Sequence, residues 1–205
     1  MAGKPSAPSV QRNREPIAQA LAPFMADRRR VLEIGSGTGE HALYFAGLWP
    51  QLQWQPSDHA DHLTGIDAWR AEAALPNLLP ALALQAELPP APALALPAGT
   101  APFDAVFSAN TLHIMSWEHV QALFAGLPSI TVAGAVLAVY GPFNHAGGFT
   151  SQSNAQFDAW LKARDARSGI RDAEAVQALA AQAGFSVVDD LAMPANNRLL
   201  VWQRG

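Results

Sequence analysis

Val31-Leu32-Glu33-Ile34-Gly35-Ser36-Gly37-Thr38-Gly39 joins an apolar run to a turn in which glycine recurs at every second position. Glycine at that density marks backbone that turns tightly or comes close to something, because a side chain would be in the way. A helical pattern starts at Glu40, so the stretch reads as strand, turn and helix start, the first half of a nucleotide-binding βα unit. A carboxylate at this turn would repel a pyrophosphate. Glu33 suits a ligand with a cationic end, such as the amino group and sulfonium of S-adenosylmethionine. The dinucleotide pattern G-x-G-x-x-G fails from Gly35, where Glu40 stands at the third glycine. From Gly37 it survives as Gly37, Gly39 and Ala42, but the turn then begins two residues late. The methyl-donor reading is preferred; a nicotinamide site, and a turn that binds nothing, stay open.

Working outward, the chain has 205 residues, enough for one domain with a full core. Half of them are hydrophobic and 15% are charged, a globular balance. No run of 18 apolar residues occurs, so no membrane span is expected. The Pro- and Ser-rich start lacks an apolar core of the secretory kind, which makes the cytoplasm the expected location. Residues 1–12 read as a flexible arm and residues 13–205 as the domain. The chain has no cysteine, which removes disulfides, thiolate metal sites and a cysteine nucleophile together. A net charge of -4 argues against a nucleic-acid surface. The one basic run, Arg28-Arg29-Arg30, reads as the close of a helix, where positive charge complements the dipole.

Apolar spacing predicts a helix over 13–25, a strand over 30–34, a helix over 40–48 and a strand over 51–56, with Asp58 just past its end. A helix over 66–75 ends at Pro76, and residues 80–85 make a weak strand. Residues 88–102, rich in Pro and Ala, read as a loop. A strand over 103–108, a helix over 117–127 and a strand over 135–141 follow. An irregular stretch over 142–169 carries a helix over 154–164, with Ser153 and Gln156 spaced as a capping box. The chain ends with a helix over 172–183 and strands over 185–191 and 199–203, joined too closely for anything but antiparallel pairing. The expectation is an α/β, Rossmann-like, mostly parallel sheet of seven strands with helices on both faces and an antiparallel C-terminal hairpin.

Ligands of such sheets sit beyond the carboxyl ends of the strands. That rim gathers Glu33, Gly35, Ser36, Gly37, Thr38 and Gly39 from the first turn. It adds Asp58, spaced to accept ribose hydroxyls under either nucleotide reading. The exit of the fourth strand supplies Asn110, suited to the donor's amino-acid end, and His113, facing the acceptor space or capping a helix. Asp58-His59-Ala60-Asp61-His62 has metal-like residue types, but a solvated helix start explains it better, and no metal is expected. Tyr140-Gly141-Pro142-Phe143-Asn144-His145, with Gly147-Gly148-Phe149, reads as a lid over residues 140–169.

Glu33-Ile34-Gly35-Ser36-Gly37-Thr38-Gly39-Glu40-His41, Trp54-Gln55-Pro56-Ser57-Asp58, Ala109-Asn110-Thr111-Leu112-His113-Ile114 and Tyr140-Gly141-Pro142-Phe143 recur in order with Gly169-Ile170-Arg171-Asp172 and Met193-Pro194-Ala195-Asn196-Asn197. Together they resemble the class I S-adenosylmethionine-dependent methyltransferase-like family called domain of unknown function 938, from about Asn13 to the end. The resemblance implies a seven-stranded methyltransferase fold and leaves the substrate unassigned. Where the family reads Leu-Asp-Val after its third strand, this chain has Leu84-Gln85-Ala86. The adenine amino group then falls to the carbonyl of Gln85, with Glu87 as the substitute acceptor.

The expected activity is methyl transfer from S-adenosylmethionine, leaving S-adenosylhomocysteine, to a small-molecule acceptor, without nucleic acid or membrane. His113 and Tyr140 are the candidate general bases. Asn144, Asn196 and Asn197 are the candidate acceptor-orienting residues. A donor-binding protein without catalysis, or a nicotinamide oxidoreductase, is the alternative.

Overall fold

The computed structural model describes residues 6–91 and 93–205. Helix α1 spans Pro8–Met25, with Pro8 in its first turn, where a missing N–H costs nothing. Val10, Asn13, Ile17, Leu21 and Met25 recur on one face and are buried. This corrects the flexible arm: residues 8–12 are helical, and residues 1–5 lie outside the described residues. Pro16 had suggested a helix start near Asn13. The helix instead carries Pro16 in its interior, because burial of Val10 fixes an earlier turn.

Strand β1, Arg30–Ile34, and helix α2, Glu40–Leu48, fall where the spacing places them. Strand β2 is Gln53–Asp58, so Asp58 is its last residue rather than a residue beyond it. A 3-10 turn at Ala60–His62 leads into α3, Leu63–Ala73. Strand β3 shrinks to Leu82–Ala83, and β4 is Phe103–Ala109. Helix α4, Trp117–Ile130, runs directly into a long β5, Thr131–Asn144. Helix α5, Gln152–Arg164, is capped by Ser151, whose hydroxyl accepts from Asn154 N, so Ser153 does not cap it. An unforeseen two-residue strand β6, Arg171–Asp172, precedes α6, Ala173–Gln182. The hairpin β7, Phe185–Met193, and β8, Asn197–Arg204, completes the chain.

The sheet runs β3-β2-β1-β4-β5-β8-β7, the seven strands expected, with the two-residue β6 as an eighth beside β5 off this path. All pairings among β1 to β6 are parallel; β8 is antiparallel to both β5 and β7. Alternation along β1 splits the core: Val31 packs with Phe45 and Trp54, and Leu32 packs on the other face with Phe124 and Trp202. The first layer is covered by α1 and α2, the second by α4 and α6. Arg28-Arg29-Arg30 pins the sheet instead of closing α1: the amides of Arg29 and Arg30 donate to the Asp104 carboxylate at 2.8 Å each. Among the described residues, no helix is long and apolar enough to cross a membrane.

Candidate active site

The β1–α2 turn is held by its neighbours on both sides. Gly35 and Ser36 N–H both donate to the carbonyl of Ser57 on β2, at 3.0 and 2.9 Å. The Ser108 hydroxyl of β4 donates to Ile34 O at 2.8 Å. Gly35 has φ +73, and a Cβ there would lie 2.4 Å from Thr111 Oγ1, so backbone and β4 exit meet only because the side chain is missing. Gly39 has φ +84 and backs onto Ile66 of α3, behind the wall of the cleft rather than in it.

Asp58 closes the ring. Its Oδ2 accepts Gly37 N–H at 2.6 Å, and its Oδ1 accepts His59 N–H and the His62 ring N–H at 2.7 Å each. The supposed metal motif is thus a turn fastened on Asp58. Above the turn opens a cleft of about 660 Å³, lined by Gly35, Ser36, Gly37, Thr38, Asp58 and Asn110, within the range of sites that enclose drug-sized ligands. At one end, Leu84 and Ala86 form an apolar wall, and Gln85 donates from its amide nitrogen to Glu87 Oε1. Both Gln85 and Glu87 therefore sit at the cleft. Asn110, at φ +58, is presented by a backbone bond from its N–H to Tyr140 O at 2.8 Å.

Other expectations are corrected. Glu33 is 1% exposed and stands outside the cleft; its Oε2 accepts the Trp54 indole N–H at 2.7 Å. Burial pushes its carboxyl up to about 8, with Asp58 adding to the rise, so at neutral pH it is mostly uncharged and presents no anion to a donor. Alternation along β1 decides this, since Glu33 shares the face of Val31. Tyr140 is likewise buried in the α1 layer, with its hydroxyl on the Asn13 side chain, and is removed from the cleft. Burial raises its proton affinity further, which unsuits it as a base. Asn196 and Asn197 make a turn: the Asn197 amide donates to Pro194 O and Ala195 O, and Asn196 docks on Ser153 and Asn154 of α5. Asn144, at the end of β5 opposite Asp172, is buried away from the cleft, and its Oδ1 has no partner among the described residues.

His113 is buried just behind the cleft wall, its ring edge-on to Phe157 at 5.2 Å. Burial, then the charge of Arg171, lowers its imidazole to about 4. The stretch read as a lid is fastened: Asp158 Oδ1 accepts Ile170 N–H at 2.8 Å, and Ala146 N–H donates to the Glu174 carboxylate at 3.3 Å. The sequence reading missed Ala7, Ser9 and Val10, which line the cleft from α1 and its approach. The apolar Val10, at helical spacing before Ile17, was the available signal.

A parallel sheet finished by an antiparallel hairpin, with its cleft over the carboxyl ends of β1 and β4, is the class I methyltransferase fold. An O-methyltransferase family protein from Burkholderia thailandensis matches at TM-score 0.79 and 15% identity, over 96% of this chain and 57% of its own. Human N-acetylserotonin methyltransferase, solved in complex with S-adenosylmethionine, matches at TM-score 0.76 and 13% identity, over 96% of this chain and 53% of its own. An O-methyltransferase family 2 protein from Planctomyces limnophilus, in complex with apigenin, matches at TM-score 0.72 and 15% identity, over 94% and 62%. The chain therefore spans little more than half the length of these proteins. It belongs to the family described as a protein of unknown function, DUF938, whose sequence profile matches residues 4–204.

Proposed function

We propose that the protein is an S-adenosylmethionine-dependent methyltransferase acting on a small molecule. The observation that carries this over a dinucleotide enzyme is Glu40. A dinucleotide fold seats its pyrophosphate at the N-terminus of the helix after β1, where free N–H groups and the dipole favour an anion. Here the first residue of α2 is itself a carboxylate, bound to Thr38 Oγ1 at 2.9 Å and Ala7 N at 2.6 Å. A pyrophosphate, whose two negative charges nothing balances, would be repelled there, whereas the donor's amino-acid end is a zwitterion beside a sulfonium.

The cleft residues fit the donor part by part. Asp58 Oδ2 makes one bond, to Gly37, and retains acceptor capacity for a ribose hydroxyl. Leu84 and Ala86 suit the faces of an adenine. Gln85 gives one N–H to Glu87 and keeps its carbonyl oxygen for the adenine amino group. Asn110 and the glycine turn receive the amino-acid end. When bound, the donor supplies a methyl group already activated on sulfonium sulfur. The residues around it align the acceptor and exclude water. The complexes of similar fold, one with S-adenosylmethionine and one with apigenin, support the donor and a small acceptor.

Calorimetry with S-adenosylmethionine, S-adenosylhomocysteine and a nicotinamide dinucleotide tests the reading. The first two are expected to bind and the third not. Binding of the dinucleotide alone would overturn it.

A further inference from the structure

Glu33 stands outside the cleft and is mostly uncharged at neutral pH, so the cationic amino group of a donor needs another partner. His41 lines the cleft from the first turn of α2, beside the glycine turn. Its ring is fixed by packing: it lies parallel to Phe45 at 5.5 Å and edge-on to Phe107 at 6.2 Å. Its Nε2 meets Asn13 Oδ1 of α1 at 2.8 Å. An amide oxygen only accepts, so the proton sits on Nε2 and Nδ1 carries the lone pair. Nδ1 makes no hydrogen bond among the described residues, yet it is not one of the fully buried atoms left without a partner. It therefore reaches open space, and the open space this ring borders is the cleft.

We propose that His41 Nδ1 is the acceptor for the α-ammonium of the bound donor, and that Asn13 holds the imidazole in the tautomer this requires. This rests on the donor reading of the cleft.

The choice of an ammonium follows from the lone pair, which needs a proton donor opposite it. The carboxylate and the sulfonium of the donor have no proton to give. In the donor reading the ribose hydroxyls go to Asp58 and the adenine amino group to Gln85, which leaves the α-ammonium. Burial holds the imidazole down to about 4, so the lone pair is free at neutral pH. Glu40, the next residue in α2, sets the sign of the charge that is welcome there. Its carboxylate outweighs Arg14 in the charge acting on the ring. Among the described residues it takes only uncharged donors, Ser6 Oγ, Ala7 N–H and Thr38 Oγ1, so its negative charge is not spent on an ion pair. A cation at Nδ1 thus gains both a hydrogen bond and a nearby anion. Because Asn13 belongs to α1, the same helix that walls the cleft also sets the histidine that reads the donor.

The test compares S-adenosylhomocysteine with its desamino analogue, which lacks only the α-amino group. By calorimetry the wild type is expected to bind the analogue at least about tenfold more weakly, as the loss of one charge-assisted hydrogen bond requires. His41→Phe keeps the stacking on Phe45 but has no lone pair. It is expected to bind the two ligands within about twofold of each other, with the analogue bound as by the wild type. Nitrogen-15 spectra of the wild type, with the His41 ring identified by its contacts to Phe45 and Phe107, are expected to show Nε2 protonated and Nδ1 bare. The Nδ1 signal should move with S-adenosylhomocysteine and stay with the analogue. Asn13→Leu removes the acceptor that fixes the proton, and both tautomers should then appear. Should His41→Phe fail to fold, the ligand pair and the spectra of the wild type decide alone. Equal affinity of the wild type for the two ligands, a proton on Nδ1, or full selectivity in His41→Phe would overturn the inference while leaving the donor site standing. Failure of S-adenosylhomocysteine to bind the wild type would remove the donor reading and this one with it.

Discussion

The main-chain N–H of Ala7 donates to a carboxylate oxygen of Glu40 at 2.6 Å, joining the approach to α1 to the first turn of α2. The other carboxylate oxygen takes the Ser6 hydroxyl at 3.1 Å. These two bonds lay residues 6–10 along the edge of the cleft, where Ala7, Ser9 and Val10 become part of its wall. Glu40 so does two things: it fills the anion position of the helix and it holds the strap that narrows the cleft.

Glu40→Ala should therefore loosen the strap without unfolding the sheet. Charge-assisted hydrogen bonds are worth roughly 1.5–3 kcal/mol each, and only part of that reaches the ligand. S-Adenosylhomocysteine affinity is expected to fall about tenfold, and limited proteolysis to cut within residues 6–12. Wild-type affinity together with new cleavage would show that the strap is not part of the donor site.

Asp58→Ala removes the proposed ribose acceptor and also frees the Gly37 N–H that the carboxylate now holds. Donor affinity should drop by at least about tenfold, or about 1.4 kcal/mol. Asp58→Asn keeps an acceptor for Gly37 and should retain more of the thermal stability than of the affinity. Calorimetry and a melting curve on both variants read the two effects apart.

The parallel sheet with its antiparallel hairpin, and the gathering of Asp58, Asn110 and the glycine turn at one rim, were legible because each follows from period and chain order: an apolar run, a turn residue, a helix start. The roles of Glu33 and Tyr140 were not. Both lie at the rim in sequence, yet which face of the sheet a side chain takes depends on the pleat, and one residue of phase sends it into a core layer. The length of α1 was hidden by Pro16, which sequence logic places in a first turn and the fold tolerates inside the helix because the apolar face of Val10, Ile17 and Leu21 holds it.

Gly35 is expected to resist any side chain. In Gly35→Ala the new Cβ meets Thr111 Oγ1 at 2.4 Å and Cγ2 at 2.7 Å, and φ +73 adds roughly 1–2 kcal/mol of left-handed strain. Thr111→Ala removes both atoms but leaves the strain. The double variant should thus be more stable than the sum of the singles by about 1 kcal/mol or more, measured by denaturant unfolding. Strict additivity would mean that the turn shifts away from β4 instead of pressing on it.

The pH dependence of stability is set near neutrality by three buried groups acting in opposite directions. His41 and His113 are held down to about 4 by burial, from 6.5, while Glu33 is pushed up to about 8 from 4.5. Between pH 4 and 6.5 each histidine is protonated in the unfolded chain and neutral in the folded one, so each makes stability rise with pH. Between pH 4.5 and 8 Glu33 binds its proton only in the folded chain, so it makes stability fall as pH rises. Two protons against one leave a net rise of about 1.4 kcal/mol per pH unit up to 6.5; above 6.5 Glu33 alone remains and the slope reverses to a fall of similar size. Stability should therefore peak near pH 6.5 and decline towards pH 8. Glu33→Gln keeps an acceptor for the Trp54 indole N–H and has no proton to lose, so it should abolish the decline while leaving the rise below pH 6.5 steeper than in the wild type. Urea unfolding at half-unit intervals from pH 5 to 8.5 measures both profiles. A wild-type curve that is flat from pH 6.5 to 8 would mean that Glu33 is ionised in the folded protein, and that the cleft has an anion behind its glycine turn after all.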